Sequence, residues 1–519
     1  PPSGIIDPCP ATAPGTAACA ALTAAPADRS EVSGAAARTG EAAAAVTPVG
    51  YSPANLQQAY EFQSATSGSG QTVAVVTPYN DPDAASDLAA YRNQYGLAAC
   101  NVTNGCFKQV SQTGSTTALP GTAAGWNVPV SESLDMISAI CPNCHILMVE
   151  ASSSAVTDLG TAENEAVTLG AKFIDNDWDT TENSIETGWD TSYFDHPGVA
   201  ITAPAGDNGY GTSYPAASPY VTAVGGTTLT ADSTAPRGYS ETAWSGSGAG
   251  CSPYEPKPSW QTDTGCTDRV MNDLAADADP HPPVAYYDTL TEGGWGEGSG
   301  TTVAAAIIAA AYALAGTPAS GTNPASYPYD YPGGDYTTPG NAYPYSDGIS
   351  NITSGSDGVC SVSYLCTAGS GYSGPTGLGS PATDLALSAS GQAGVIYSGM
   401  AGICMDDEHG GTTTGTHVQI YTCNGTTSQD WTLEPDGTVR FDSSDCLADS
   451  GTANSEGYHL VDLGPCTAGD PAMQFVPRAD DSLYNPATGW CLADPDATTT
   501  IGTQLIIGTC NGTASQHWT

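Results

Sequence analysis

The 519-residue chain carries 54 acidic side chains against 10 Lys and Arg, a formal charge of −44. That balance argues against a nucleic-acid or anionic-membrane surface, which needs clustered cations. The length allows two or more cores, since single cores rarely grow beyond roughly 250–300 residues. No apolar stretch is long enough to span a bilayer, and the longest helical run, 303–316, is Ala-rich and too short.

Sixteen cysteines fall into eight neighbouring pairs: Cys9/Cys19, Cys100/Cys106, Cys141/Cys144, Cys251/Cys266, Cys360/Cys366, Cys404/Cys423, Cys446/Cys466 and Cys491/Cys510. Even, short-range pairing suggests local disulfide loops in an oxidising compartment. Cys141-Pro-Asn-Cys144 also looks like half a metal or redox motif, but no second such motif accompanies it. With Pro1 in place of Met, the chain reads as a processed, secreted, extracellular protein.

In chain order, residues 1–47 are rich in Ala, Pro and Thr and read as a poorly folded arm or a leader remnant. Strand and helix signals then alternate. Buried strands are expected at 71–76, 145–150, 172–174 and 199–202, with helical spacing over 83–95 and 154–169. Such alternation implies βαβ units and a mostly parallel sheet. The stretch 318–348, dense in Pro, Tyr and Gly, reads as irregular surface.

Past about residue 398 the pattern changes. The run 422–432, Thr-Cys-Asn-Gly-Thr-Thr-Ser-Gln-Asp-Trp-Thr, nearly recurs at 509–519. A degenerate middle copy lies between, with Cys446-Leu-Ala-Asp449 answering Cys404-Met-Asp-Asp407 and Cys491-Leu-Ala-Asp494. Three copies of one period are a strong repeat signal. With Gln429-x-Trp431 and Gln516-x-Trp518 closing the outer copies, residues 394–519 resemble a ricin-B-type lectin, an all-β trefoil. In the middle copy only Gln474-Phe475 remains.

The resemblance implies core positions for the two tryptophans and sugar contacts for specific polar and aromatic groups. In the first copy these are Asp406, Tyr421, Asn424 and Gln429, with Gln419 nearby. In the third they are Asp494, Asn511 and Gln516, with Gln504 nearby and Ile507 in place of the stacking aromatic. Ser428 and Ser515 stand where many members of that family carry Asn.

Residues 48–393 carry a second set of motifs. These are Ala-Pro-Ala-Gly-Asp-Asn-Gly at 203–209, Thr-Ala-Val-Gly-Gly-Thr-Thr at 222–228 and Ser-Gly-Thr-Thr at 299–302 before an Ala-rich helix. Together they resemble the sedolisin (serine-carboxyl) peptidases, which implies an α/β subtilisin-like fold. In that family a serine opens the helix, a Glu takes its proton, an Asp four residues later orients the Glu, and another Asp serves the oxyanion. A carboxylate base suits acid pH when burial raises its pKa.

Carried over residue by residue, the nucleophile falls on Thr302, the Glu on Pro129, its partner Asp on Ser133 and the oxyanion acid on Asp207. Glu132 and Asp135 are the possible substitutes, at a spacing of three. The strand usually reading Ser-x-Ser-Trp-Gly reads Asp175-Asn-Asp-Trp-Asp179, which puts a side chain where a substrate backbone should approach. The resemblance also implies a calcium site on Asn351, Ile352, Gly369, Gly371 and Ser373. Both carboxylate positions are neutral, Asn351 and Ser373, so calcium is expected to be weak or absent and no other cofactor is implied.

The reading is a secreted pseudo-peptidase joined to a lectin. Its trefoil would bind a glycan or polysaccharide, and its inert domain would serve as scaffold or dock an extracellular protein. The rivals are a glycan-targeted acid peptidase using Thr302 with Glu132 or another base, and a structural component of an extracellular assembly.

Overall fold

The computed structural model describes residues 5–9, 15–24, 48–235, 237–330, 348–388 and 392–518, apart from short breaks at 412, 435–436, 442–443, 468–469 and 479–481. Contacts divide it into two compact units, one holding Pro1–Tyr329 and Asn351–Leu387, the other Ser388–Thr519.

Strands in the first unit are near-continuous apolar runs, as expected where both sheet faces are covered. Thr72–Pro78 is buried from its second residue onward, and His145–Ala151 likewise. The main sheet runs Tyr239–Ala243, Thr222–Ala231, Ala200–Pro204, Phe173–Asn176, Thr72–Pro78, His145–Ala151, Phe107–Ser111. Leu274–Asp277 pairs parallel with Thr222–Ala231, and only the edge strand Tyr239–Ala243 runs antiparallel.

Among the described residues, seven helices accompany it: α1 Pro53–Ala59, α2 Ala84–Gln94, α3 Asn127–Ile140, α4 Val156–Thr168, α5 Glu186–Trp189, α6 Thr301–Ala315 and the short α7 Tyr327–Asp330. Helix α6 is buried around its whole circumference from Thr301 to Leu314. Its alanines allow this, because they let α3 and the strands approach closely while retaining high helix propensity. Helix α3 is also buried throughout, so its charged residues Glu132 and Asp135 lie in the interior.

Two expectations need correction. Residues 1–47 are not uniformly an unfolded arm: Ile5–Ile6 and Leu22–Ala24 pair as antiparallel strands, and 17–24 are almost entirely buried. Residues 25–47 lie outside the described part. In the Pro/Tyr-rich stretch, 324–330 is helical with Tyr327 buried, because its aromatic rings find a core to fill. Residues 331–347 also lie outside the described part.

The second unit is built from short antiparallel strands in three copies. Trp431, Trp518, Met405, Val418, Ile420, Leu447, Leu463, Phe475 and Leu492 share one core. Trp431 and Trp518 donate their indole N–H groups to Met405 O and Leu492 O at 3.2 and 3.1 Å, so each polar edge is satisfied inside it. All sixteen cysteines pair with the neighbours that their spacing suggested, the Cys141–Cys144 pair included.

Candidate functional site

The turn before α6 builds the first candidate site. Gly300 sits at φ +99°, and a methyl there would fall 2.5 Å from Ala20 O and against the Asp207 carboxylate. Only glycine fits such a position. Asp207 Oδ1 accepts from Thr301 N and Thr301 Oγ1 at 2.8 and 2.9 Å. Burial pushes the Asp207 carboxyl well above its usual range. The Thr302 hydroxyl is buried with no hydrogen-bond partner, while its amide donates to Ala20 O at 2.8 Å.

Ala20 belongs to a strap that crosses this turn. Ala18 and Asp179 exchange two backbone hydrogen bonds of 2.8 and 3.0 Å. Leu22 and Thr23 pair antiparallel with Ser299 and Gly298. Thr180 Oγ1 donates to Thr16 O at 3.2 Å, and Ala17 N to Ser154 O at 2.8 Å. The Cys9–Cys19 disulfide closes a loop at its start. Residues 16–23 thus lie as an added strand between two walls, the geometry of an extended peptide bound by strand addition, here supplied by the chain itself.

Buried carboxyls cluster around Asp207. Burial raises Asp175 and Asp179 to about 7, and drives Asp177 and Glu132 well above their usual range. Such groups are neutral acids at acidic pH, which is how several carboxyls coexist in one interior.

In the second unit, strand pairing fixes which residues are equivalent between copies. Cys404, Met405 and Asp406 lie opposite Tyr421, Ile420 and Gln419. In the third copy Cys491, Leu492 and Ala493 lie opposite Gly508, Ile507 and Ile506. In the middle copy Cys446, Leu447 and Ala448 lie opposite Gly464, Leu463 and Asp462. The Asp406–Gln419–Tyr421 trio therefore becomes Ala448–Asp462–Gly464 and then Ala493–Ile506–Gly508. In the first copy Asp406 is gripped on both oxygens, by Gln419 Nε2 at 2.9 Å and Gln429 Nε2 at 3.1 Å, and Tyr421 is partly exposed beside it.

The ricin-type β-trefoil lectin family model matches residues 392–518. Kumamolisin of Bacillus sp. (strain MN-32) is 28% identical over 373 residues, 64% of this chain and 62% of the relative. Nigrin b of Sambucus nigra is 31% identical over 121 residues, 23% of this chain and 21% of its own length. The structure of Pseudomonas sedolisin (serine-carboxyl proteinase), complexed with two molecules of pseudo-iodotyrostatin, superposes with a TM-score of 0.53 at 26% identity, covering 65% of this chain and 96% of the other. The chain joins a sedolisin-like domain to a ricin-type trefoil. It spans about three-fifths of the length of the peptidases that it matches.

In the sedolisin-like domain, Pro129 and Ser133 both lie on buried α3. The Ser133 hydroxyl lies beside Asp175 without a hydrogen bond between them, and Thr202 Oγ1 approaches the same carboxyl at 3.4 Å. Hydroxyl and carboxyl have therefore changed places: helix serine faces strand aspartate, where the sedolisin pattern has helix aspartate and strand serine. Of the possible substitutes, Glu132 lies against Gly298 and the Ser299 amide, near Asp207, and no hydrogen bond joins it to Thr302. Asp135 points elsewhere, accepting from Tyr287 N at 2.8 Å. The expectation that Asp179 blocks an approaching backbone fails, because its side chain turns toward Gly206 and leaves its own N–H and C=O free to pair.

The residues carried over as a calcium site hold one another. Asn351 Nδ2 donates to Gly371 O at 2.9 Å and Leu378 O at 3.2 Å, and Gly371 N returns a bond of 3.1 Å. Amide hydrogens thus point at carbonyls that a cation would use, and Ser373 Oγ pairs with Thr376 Oγ1. This donor set does not fit Ca²⁺. Ile352 packs with Ala243 and Ala368, and Gly369 lies in the same loop without contributing to that network.

Within the trefoil, several of the residues expected to contact sugar also hold their own turns. Asn424 Oδ1 accepts from Thr426, and the Asn424 amide donates to Gln429 Oε1 at 2.9 Å. Asn511 and Gln516 repeat both arrangements in the third copy. These turn hydrogen bonds recur in the third copy, where the polar trio is gone. Ile507 is a core residue, and Gly508 occupies the aromatic position, a one-residue correction. Gln504 donates to Asp462 Oδ1 at 2.6 Å, and Asp494 is buried at the place of Asp407 instead of Asp406. Sequence reasoning missed the strap, although the small apolar run 19–24 beside a cysteine pair was a usable signal.

Proposed function

We propose that the protein is a secreted glycan-binding protein whose sedolisin-like domain is a non-hydrolysing scaffold or docking domain. The Asp406–Gln419–Tyr421 trio carries this reading. A carboxylate held by two amides can accept paired sugar hydroxyls, and a half-exposed tyrosine offers a face to the C–H side of the ring. Only the first copy has the trio, so binding at this class of site is monovalent. Asp406→Ala with Tyr421→Ala should weaken retention on a glycan array at least tenfold, equivalent to about 1.4 kcal/mol, with the far-ultraviolet spectrum unchanged. Undiminished retention would overturn the assignment.

Absence of hydrolysis is supported by Pro129 and Ser133 in place of the base and its partner, and by burial of Glu132. A carboxyl held protonated is no acceptor for the Thr302 proton. The rival, a targeted acid peptidase, draws on the Ala20 carbonyl resting on the Thr302 amide, where an oxyanion would form. Peptide mixtures incubated from pH 3 to 8 should remain uncut, and intact mass should show an unbroken Ala20–Ala21 bond. Cleavage that disappears in Thr302→Ala would establish the rival. An extracellular location fits the eight disulfides, and among the described residues no helix is long and apolar enough to cross a membrane. Weak or absent calcium binding belongs to the same proposal, and the melting temperature should be indifferent to chelator.

A further inference from the structure

The trefoil carries a second cluster of aromatic and polar side chains, at the seam between its middle and third copies. Gly508 stands where the first copy has Tyr421, yet the space is not empty. A methyl built on Gly508 would lie 3.3–3.6 Å from the ring of Tyr458, which belongs to the long hairpin of the middle copy. Asn454 Oδ1 accepts from the Glu456 and Tyr458 amides at 2.9 and 3.0 Å, which fixes the hairpin tip. His459 lies opposite Ile507 across the strand pair. The middle copy thus supplies the aromatic that the third copy lacks.

Tyr458 meets Trp490 nearly edge-on, with centroids 6.2 Å apart at 82°. His459 meets the same indole at 5.5 Å and 68°. His459 Nδ1 lies 2.6 Å from Asp449 Oδ2, which fixes the imidazole plane. All four side chains are partly exposed. We propose that Tyr458, Trp490 and the Asp449–His459 pair form a second carbohydrate site, composite between two copies and unrelated in residue pattern to the Asp406 site. Aromatic faces set at right angles make a corner for one sugar ring, and the carboxylate–imidazole pair meets its hydroxyls. No Lys or Arg takes part, which sets a neutral sugar above an anionic ligand.

This rests on the glycan-binding reading and adds one site to it. The test is calorimetric titration of the full chain with lactose, N-acetylgalactosamine and xylotriose. Two sites per chain are expected for at least one sugar. Tyr421→Ala should leave one, and Tyr421→Ala combined with His459→Ala should leave none. Asp449→Asn, a milder change on the surface, should weaken the second site at least fivefold. One site in the parent and none in Tyr421→Ala would overturn the composite site alone. No binding of any of the three sugars by the parent chain would overturn both readings for them.

Discussion

At the scale of residues, single atoms decide what a recognisable motif can do. Gly300 illustrates this: its positive φ and the nearness of Ala20 O leave no room for Cβ. Gly300→Ala should destabilise the first unit by roughly 2 kcal/mol or more, read as a lower melting temperature, because strain and steric overlap add. An unchanged melting temperature would mean that the turn relaxes. Thr302→Ser should yield no peptidase activity between pH 3 and 8, since the hydroxyl would still face no carboxylate base. The motif around 299–302 was legible in the sequence. The missing hydrogen bond to Thr302 was not, because it depends on where α3 places Glu132.

Among elements, the strap behaves as a bound peptide tethered by one disulfide. Closing a loop of ten residues stabilises by about 2–3 kcal/mol, chiefly by restricting the unfolded chain. Cys9→Ser with Cys19→Ser should therefore lower stability by that amount and open the strap to proteolysis within 16–23 faster than any site in the main sheet. Equal protection with and without the disulfide would show that strand pairing alone holds it. The same scale governs the trefoil. Repeat spacing made three copies legible, but the third copy's aromatic position was misplaced by one residue. A one-residue slip moves every side chain to the other face, and only the pairing of Cys491 with Gly508 fixes it.

For the whole molecule, many of the acidic side chains lie in the interior. Burial raises Glu163 and Glu186 to about 8, Glu255 to about 9, and Glu150, Asp81 and Asp357 to about 7. Glu255 sits among Asp190, Glu186 and Glu182, and Glu182 is bonded by Ser252 Oγ. These folded-state values exceed those of the unfolded chain, near 4–4.5. Their stabilisation is thus full below about pH 4 and is lost as pH rises through 7 to 9. The melting temperature should fall by roughly 10 °C or more between pH 4 and 8, and Glu255→Gln should flatten that fall. A profile rising toward pH 8 would contradict the burial of protonated carboxyls.

The sequence by itself determined what depends on local pattern: eight cysteine pairs, the alternation of apolar strands and helices, the threefold repeat and the motifs of two domains. Pairs close in the chain meet with little loop entropy, and side-chain period follows from backbone geometry. Tertiary structure alone decided what depends on distant segments meeting. It laid residues 16–23 against Thr302, set Ser133 facing Asp175, turned the Asn351 amide onto a carbonyl, and brought Tyr458 over Gly508. Each is a contact between segments whose order along the chain says nothing of their separation in space, and strand register and side-chain packing fix it only once the cores have formed.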